Sequence, residues 1–148
     1  MLSKSLVIFT AVGLVSALAL GIYLIDVKST SQLIFVEGNS VSIVTEKFDF
    51  KQGEEITLQV VNSGTVPLVF SDASYGLKIT GLSGTLMYSP ISAQVISELA
   101  PGDEIVFSWD QIKIDGNPVL EGLYKISVNG ADKEGNAVER STTVTIWK

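Results

Sequence analysis

Ile56-Thr-Leu-Gln-Val-Val-Asn62, followed at once by Ser63-Gly64, is the stretch on which the fold turns. Ile56, Leu58 and Val60 place an apolar side chain at every second position, with Thr57, Gln59 and Val61 between them, and a period of two belongs to a strand with one buried face. Asn62-Ser63-Gly64 then offers side chains that suit the sharp bends of a turn. The pattern recurs downstream, where Ile105, Phe107 and Trp109 alternate with Val106, Ser108 and Asp110, and where Tyr124, Ile126 and Val128 alternate with Lys125, Ser127 and Asn129. Further strands are predicted over 33–36, 41–50, 67–71, 77–79, 85–88, 94–99 and 138–147. Between them lie Gln52-Gly53, Leu82-Ser83-Gly84, Pro101-Gly102-Asp103, Asp115-Gly116-Asn117-Pro118 and Glu134-Gly135-Asn136, all turn chemistry. Strands with one apolar face each must cover it with a second sheet, and about 100 residues is the usual size of an immunoglobulin-like solution. The sequence therefore predicts an all-β, immunoglobulin-like antiparallel β-sandwich over 33–148, with Trp109 on a central strand anchoring its core.

Upstream the character changes. From Ser5 to Ile25 there is no charged residue, Lys4 and Asp26 bound the run, and about 20 residues of helix cross a hydrocarbon core. One transmembrane helix within 1–25 is expected, with a linker over 26–32. Lys4 and the amino terminus on one flank, against Asp26 before Lys28 on the other, favour a cytoplasmic N-terminus. Tyr23 suits the outer headgroup level. A cleaved signal peptide is the competing expectation, because Ala17-Leu18-Ala19 forms an A-x-A pattern; the apolar run continues past it from Leu20 to Ile25, which favours an uncleaved anchor. Either way the rest of the chain lies outside the cytoplasmic membrane. Gly13, Ala17 and Gly21 recur every four residues and form a small-residue face on which two membrane helices could pack. A homo-oligomer is expected through that face or through edge pairing of 33–36.

Composition narrows the chemistry. Of 148 residues 46% are hydrophobic and 18% charged, which fits one domain with a membrane-like appendage. The net charge of −6 disfavours a nucleic-acid partner. With no Cys and no His there is no disulfide, no thiolate or imidazole metal site and no Ser-His or Cys-His nucleophile pair. No catalytic residue, cofactor or metal is expected. Asp103 and Glu104 are adjacent on a strand and face opposite sides, so they do not act as a matched acid and base. Asp132, Glu134 and Asn136 could offer oxygen ligands to Ca²⁺, but they lack the twelve-residue loop pattern and read as a hairpin turn. Leu86, Met87, Tyr88, Pro90 and Ile91 form an unusually apolar connection and are the expected partner contact.

Five motifs carry a family resemblance. Ile56-Thr-Leu-Gln-Val-Val-Asn62, Pro67-Leu-Val-Phe70, Tyr75-Gly-Leu-Lys-Ile79, Leu99-Ala-Pro-Gly102 with Phe107-Ser-Trp109, and Gly122-Leu-Tyr-Lys-Ile126 stand in the order seen in the BsuPI-type domain. The chain resembles that intracellular proteinase-inhibitor family over about 54–130. The resemblance implies an immunoglobulin-like domain and, as one possible activity, protease inhibition by a rigid loop within 88–94. The membrane segment departs from that family. One membrane helix followed by a small sandwich is also similar in architecture to the stator-type accessory proteins of the archaeal flagellum. The resulting expectation is a non-enzymatic, single-pass, membrane-anchored module that binds another protein outside the membrane, such as a surface-layer, appendage or membrane-complex component.

Overall fold

The computed structural model describes residues 33–148 together with Ser16 and Ala17. The chain divides into two compact units, Met1–Ser31 and Gln32–Lys148. The expected anchor, the linker, and Gly13 and Gly21 of the small-residue face lie outside the described residues; Ala17 is described only as helical. Among the described residues no helix is long and apolar enough to cross a membrane.

Ten strands run in order: β1 (Val41–Thr45), β2 (Asp49–Lys51), β3 (Ile56–Asn62), β4 (Leu68–Phe70), β5 (Lys78–Gly81), β6 (Leu86–Tyr88), β7 (Ser97–Leu99), β8 (Glu104–Trp109), β9 (Gly122–Asp132) and β10 (Ala137–Trp147). They form two sheets in an all-β, sandwich-like fold. One has the order β1-β3-β8; the other has β2-β10-β9-β4-β7, with β5 also pairing β9 and carrying β6 beside it. The period of two sets which side chains meet between them: Ile56, Leu58 and Val60 from β3 and Tyr124, Ile126 and Val128 from β9 are all buried. Each such aliphatic or aromatic side chain contributes about 1.5–3 kcal/mol by leaving water.

Four expectations are corrected. The span 41–50 is two strands in different sheets, because Val41 and Ile43 point inward at odd positions whereas the next core residue, Phe50, is even. A single pleat cannot bury both sets, and the exposed Glu46-Lys47 breaks it. The second strand then joins β10 in parallel, Phe50 opposite Ile146, so the fold is antiparallel except for this pair. The third concerns 33–36, which forms no strand: Val36 gives one backbone N–H to Ser63 C=O at 2.9 Å and Ile34 and Phe35 stay exposed. Trp109 is fully buried as expected, but on an edge strand of its sheet rather than a central one.

The fold has two ends, about 20 Å apart along the seven residues of β3. At the Asn62 end, the buried Asn62 amide donates to Val66 C=O (2.9 Å) and Leu99 C=O (2.8 Å), while its oxygen accepts from Gly64 N–H (3.0 Å). Gly64 passes so close to Gly38 that an added Cβ would lie 2.2 Å from the Gly38 oxygen, so only glycine fits. Val36, where the described chain joins the sandwich, is held at this end. At the opposite end, Ile56 faces Trp109 and Gly122 faces Ile146. There the Trp109 ring lies between Tyr88, stacked at 6.1 Å, and Tyr124, edge-on at 6.0 Å.

Candidate functional site

Trp109 also fixes the loop that follows it. Its indole N–H donates to Ile112 C=O at 3.0 Å, and the Asp110 carboxylate accepts from Ile112 N–H at the same distance. Ile112 bridges to Pro118, and Lys113 N–H reaches Asn117 C=O (2.8 Å), so 112–118 folds as a small hairpin. Asp115-Gly116 makes its tip, where Gly116 takes φ 84°. Asp115 accepts from Asn117 N–H (2.9 Å) and pairs with Lys113 (3.1 Å), and these contacts, the backbone one first, hold its pKa below the usual carboxylate range. Ile114 N–H then donates to Met87 C=O at 2.9 Å and ties the hairpin to the outer edge of β6.

Between β6 and this hairpin lies a cleft of about 510 Å³. Val119 and Tyr124 belong to its lining from the core side, Leu86, Met87, Ile114 and Leu120 supply apolar walls, and the Lys113–Asp115 pair contributes its charged residues. Leu86 is 45% exposed, Ile114 64% and Leu120 74%, so the cleft is rimmed by exposed apolar side chains and is not part of the closed core. The Tyr124 hydroxyl donates to Leu120 C=O at 2.6 Å and so sets where Leu120 stands; burial pushes the phenol pKa up, against the opposing effect of that bond. Because Tyr124 and Val119 are packed, the cleft wall is preformed.

The five residues expected to meet a partner are not brought onto one surface. Leu86 and Met87 line the cleft, while Tyr88 turns inward onto Trp109. Pro90 is half-buried, and Ile91 is fully exposed in the loop leading to β7. That loop is tied down at its base: Ser89 Oγ donates to Leu77 C=O (3.0 Å), and Ala73 N–H to Ala93 C=O (3.2 Å). Asp72 accepts from Ser74 and also bonds Ser92, and these bonds, Ser74 first, lower its pKa. Lys113, Ile114, Val119 and Leu120 were not singled out by sequence; their signal was two short apolar runs flanking a turn motif.

The acidic turn 132–136 closes on itself. One Asp132 oxygen accepts from the N–H groups of Glu134 and Asn136, both at 2.9 Å, and the other accepts from the Asn136 amide at 2.7 Å. These bonds, that of the Asn136 side chain first, lower its pKa. Its lone pairs serve the turn, and among the described residues no group of acids is placed to hold a metal ion. Asp103 and Glu104 stand exposed where β8 begins, with Asp103 C=O accepting from Asn62 N–H at 3.0 Å.

No protein-family profile matches the chain, and no curated protein matches it. Among solved structures it is similar to Spo0M, a sporulation control protein from Bacillus subtilis, with 16% identity and a TM-score of 0.44 over 76% of this chain. It spans 51% of the length of that protein, about half. A β-glucosidase from Listeria innocua in complex with glucose matches at 10% identity and a TM-score of 0.34, over 74% of this chain and 16% of the enzyme. At these identities and TM-scores the likenesses carry nothing about this chain's activity.

Proposed function

We propose that the chain is a non-enzymatic module, anchored in the cytoplasmic membrane by its N-terminal apolar segment, whose sandwich binds another protein outside the membrane. The observation that carries this reading is the cleft's position. Within the sandwich, Val36 is held at the Asn62 end, whereas Leu86, Ile114 and Leu120 open at the Trp109 end. An uncharged run from Ser5 to Ile25 supports the anchor itself. The occupant suited to the cleft is an apolar segment of a partner protein, since its walls are aliphatic and a single ion pair provides its charge. Tyr124 bonding back to the backbone four residues upstream is the tyrosine-corner arrangement of immunoglobulin-like domains and supports that finer reading. Extraction of native membranes at alkaline pH tests the anchor: the chain stays in the membrane pellet, and protease added outside removes the sandwich. Release into the supernatant would overturn it.

A second reading has one specific observation in its favour. The motifs shared with the BsuPI-type domain fall on β3, β4, β5, β8 and β9 in order, and the segment they leave between β6 and β7 is a tied loop presenting Ile91 to solvent. Such a loop fits a surface-presented protease inhibitor. Inhibition of a serine protease that is lost in Ile91→Asp would establish it, and no inhibition across a broad panel would remove it.

A further inference from the structure

The edge of the three-stranded sheet leads to a second contact surface, independent of the cleft. β8 pairs with β3 on one side only, and among the described residues nothing pairs its other side. The hydrogen-bond phase follows from one bond. Asn62 N–H reaches Asp103 C=O, and the register continues through Val60 opposite Ile105, Leu58 opposite Phe107 and Ile56 opposite Trp109. In an antiparallel ladder alternate residues turn their N–H and C=O to the same neighbour. Ile105, Phe107 and Trp109 therefore face β3, and Glu104, Val106 and Ser108 direct three N–H and three C=O groups outward.

Within Glu104–Trp109 this edge carries little of what usually blunts one, its single charge being Glu104 at the first position. The strand Glu-Ile-Val-Phe-Ser-Trp contains no Lys, no Pro and no bulge. The other edge of the same sheet, β1, has Val41, Ser42, Ile43 and Thr45 buried. In the larger sheet β2, β6 and β7 are only three residues each. On β8 the outward-facing Val106 is 52% exposed, and even the inward-facing Ile105 and Phe107 remain half-buried.

We propose that β8 pairs with β8 of a second copy of this chain, antiparallel and centred on Val106. The strand's own charges select this partner and register. With Val106 opposite Val106 of the second copy, Glu104 falls opposite Ser108, Asp103 opposite Trp109 and Asp110 opposite Gly102, so no carboxylate meets another. All three outward N–H groups of each copy find a C=O. Shifting the centre to Glu104 sets two carboxylates face to face, shifting it to Phe107 sets Glu104 opposite Asp110, and shifting it to Ile105 or Ser108 leaves Ser108 opposite the non-strand Gly102 or Glu104 opposite the non-strand Ile112. Like charges directly opposite are unfavourable, which leaves the Val106 register.

Because the chain contains no cysteine, a single introduced thiol reports one position. In the full-length chain under mild oxidation, Val106→Cys forms a disulfide-linked dimer, since directly opposite Cα atoms lie about 5.5 Å apart, within disulfide reach. Glu104→Cys and Ser108→Cys each stay monomeric alone, because each lies about 14 Å from its own counterpart, four residues away at about 3.4 Å each. Mixed together, those two variants cross-link. Failure of Val106→Cys to dimerise overturns the proposal, as does dimerisation of Glu104→Cys or Ser108→Cys alone to the same extent.

Discussion

Gln111 has a left-handed backbone, φ 62°, which costs a side-chain-bearing residue about 1–2 kcal/mol. Its buried amide offsets that cost by donating to Lys51 C=O (2.9 Å) and Glu54 C=O (2.8 Å), while its oxygen accepts from Gly53 N–H (2.9 Å). One side chain thereby fastens the β2–β3 turn to the end of β8, beneath the hairpin that bears the cleft. Gln111→Ala removes three hydrogen bonds and keeps the strained backbone, so the unfolding free energy falls by about 3 kcal/mol. Gln111→Gly loses the same bonds but relieves the strain and should be the more stable of the two by about 1 kcal/mol. Urea unfolding midpoints give both values. The reverse order, Ala above Gly, would show that the backbone there is not strained. Nothing in Asp110-Gln-Ile112 announced this role, because the three partners are about 60 residues away in sequence. Trp109, by contrast, was legible as a core residue from alternation alone.

At the level of elements, β3, β8 and β9 were readable because each buries one face and so repeats every two residues. The division of 41–50 was readable only as a change of phase between Ile43 and Phe50, a signal that needs the second sheet to make sense. Turns were legible by type, and the structure adds how they are held. Glu54, Asp72, Asp115 and Asp132 each accept hydrogen bonds within a turn, and each carboxyl has its pKa depressed, Glu54 chiefly by Lys47. A depressed folded pKa stabilises the fold fully above the ordinary carboxylate range, and the contribution is lost as pH falls through the folded values. Thermal unfolding should therefore show melting temperature declining as pH drops below about 4. Asp132→Ala, lacking its three turn bonds, melts below the parent chain at neutral pH, and the gap closes in acid. A gap that persists unchanged at the lowest pH would mean that the carboxylate charge is irrelevant to the turn.

For the molecule as a whole, the arrangement of the two ends matters most. The first described residues are secured beside Ser63, and the apolar cleft opens at the Trp109 end. That polarity could not be read from sequence, because Leu86 and Leu120 belong to distant segments that meet only when Ile114 pairs with Met87. The acidic balance, 16 Asp and Glu against 10 Lys and Arg over the whole chain, was legible at once. We propose that a partner protein occupies this cleft while the chain is anchored in its membrane. Site-specific photo-cross-linking in native membranes tests it most directly, with the reactive group placed in turn at Leu120, at Ile114 and, as a control near the other end, at Val138. The account predicts one discrete heterologous adduct from positions 114 and 120 that Leu86→Asp abolishes without changing the melting temperature, and none from position 138. Equal adducts from all three positions, or adducts that persist in Leu86→Asp, would contradict it.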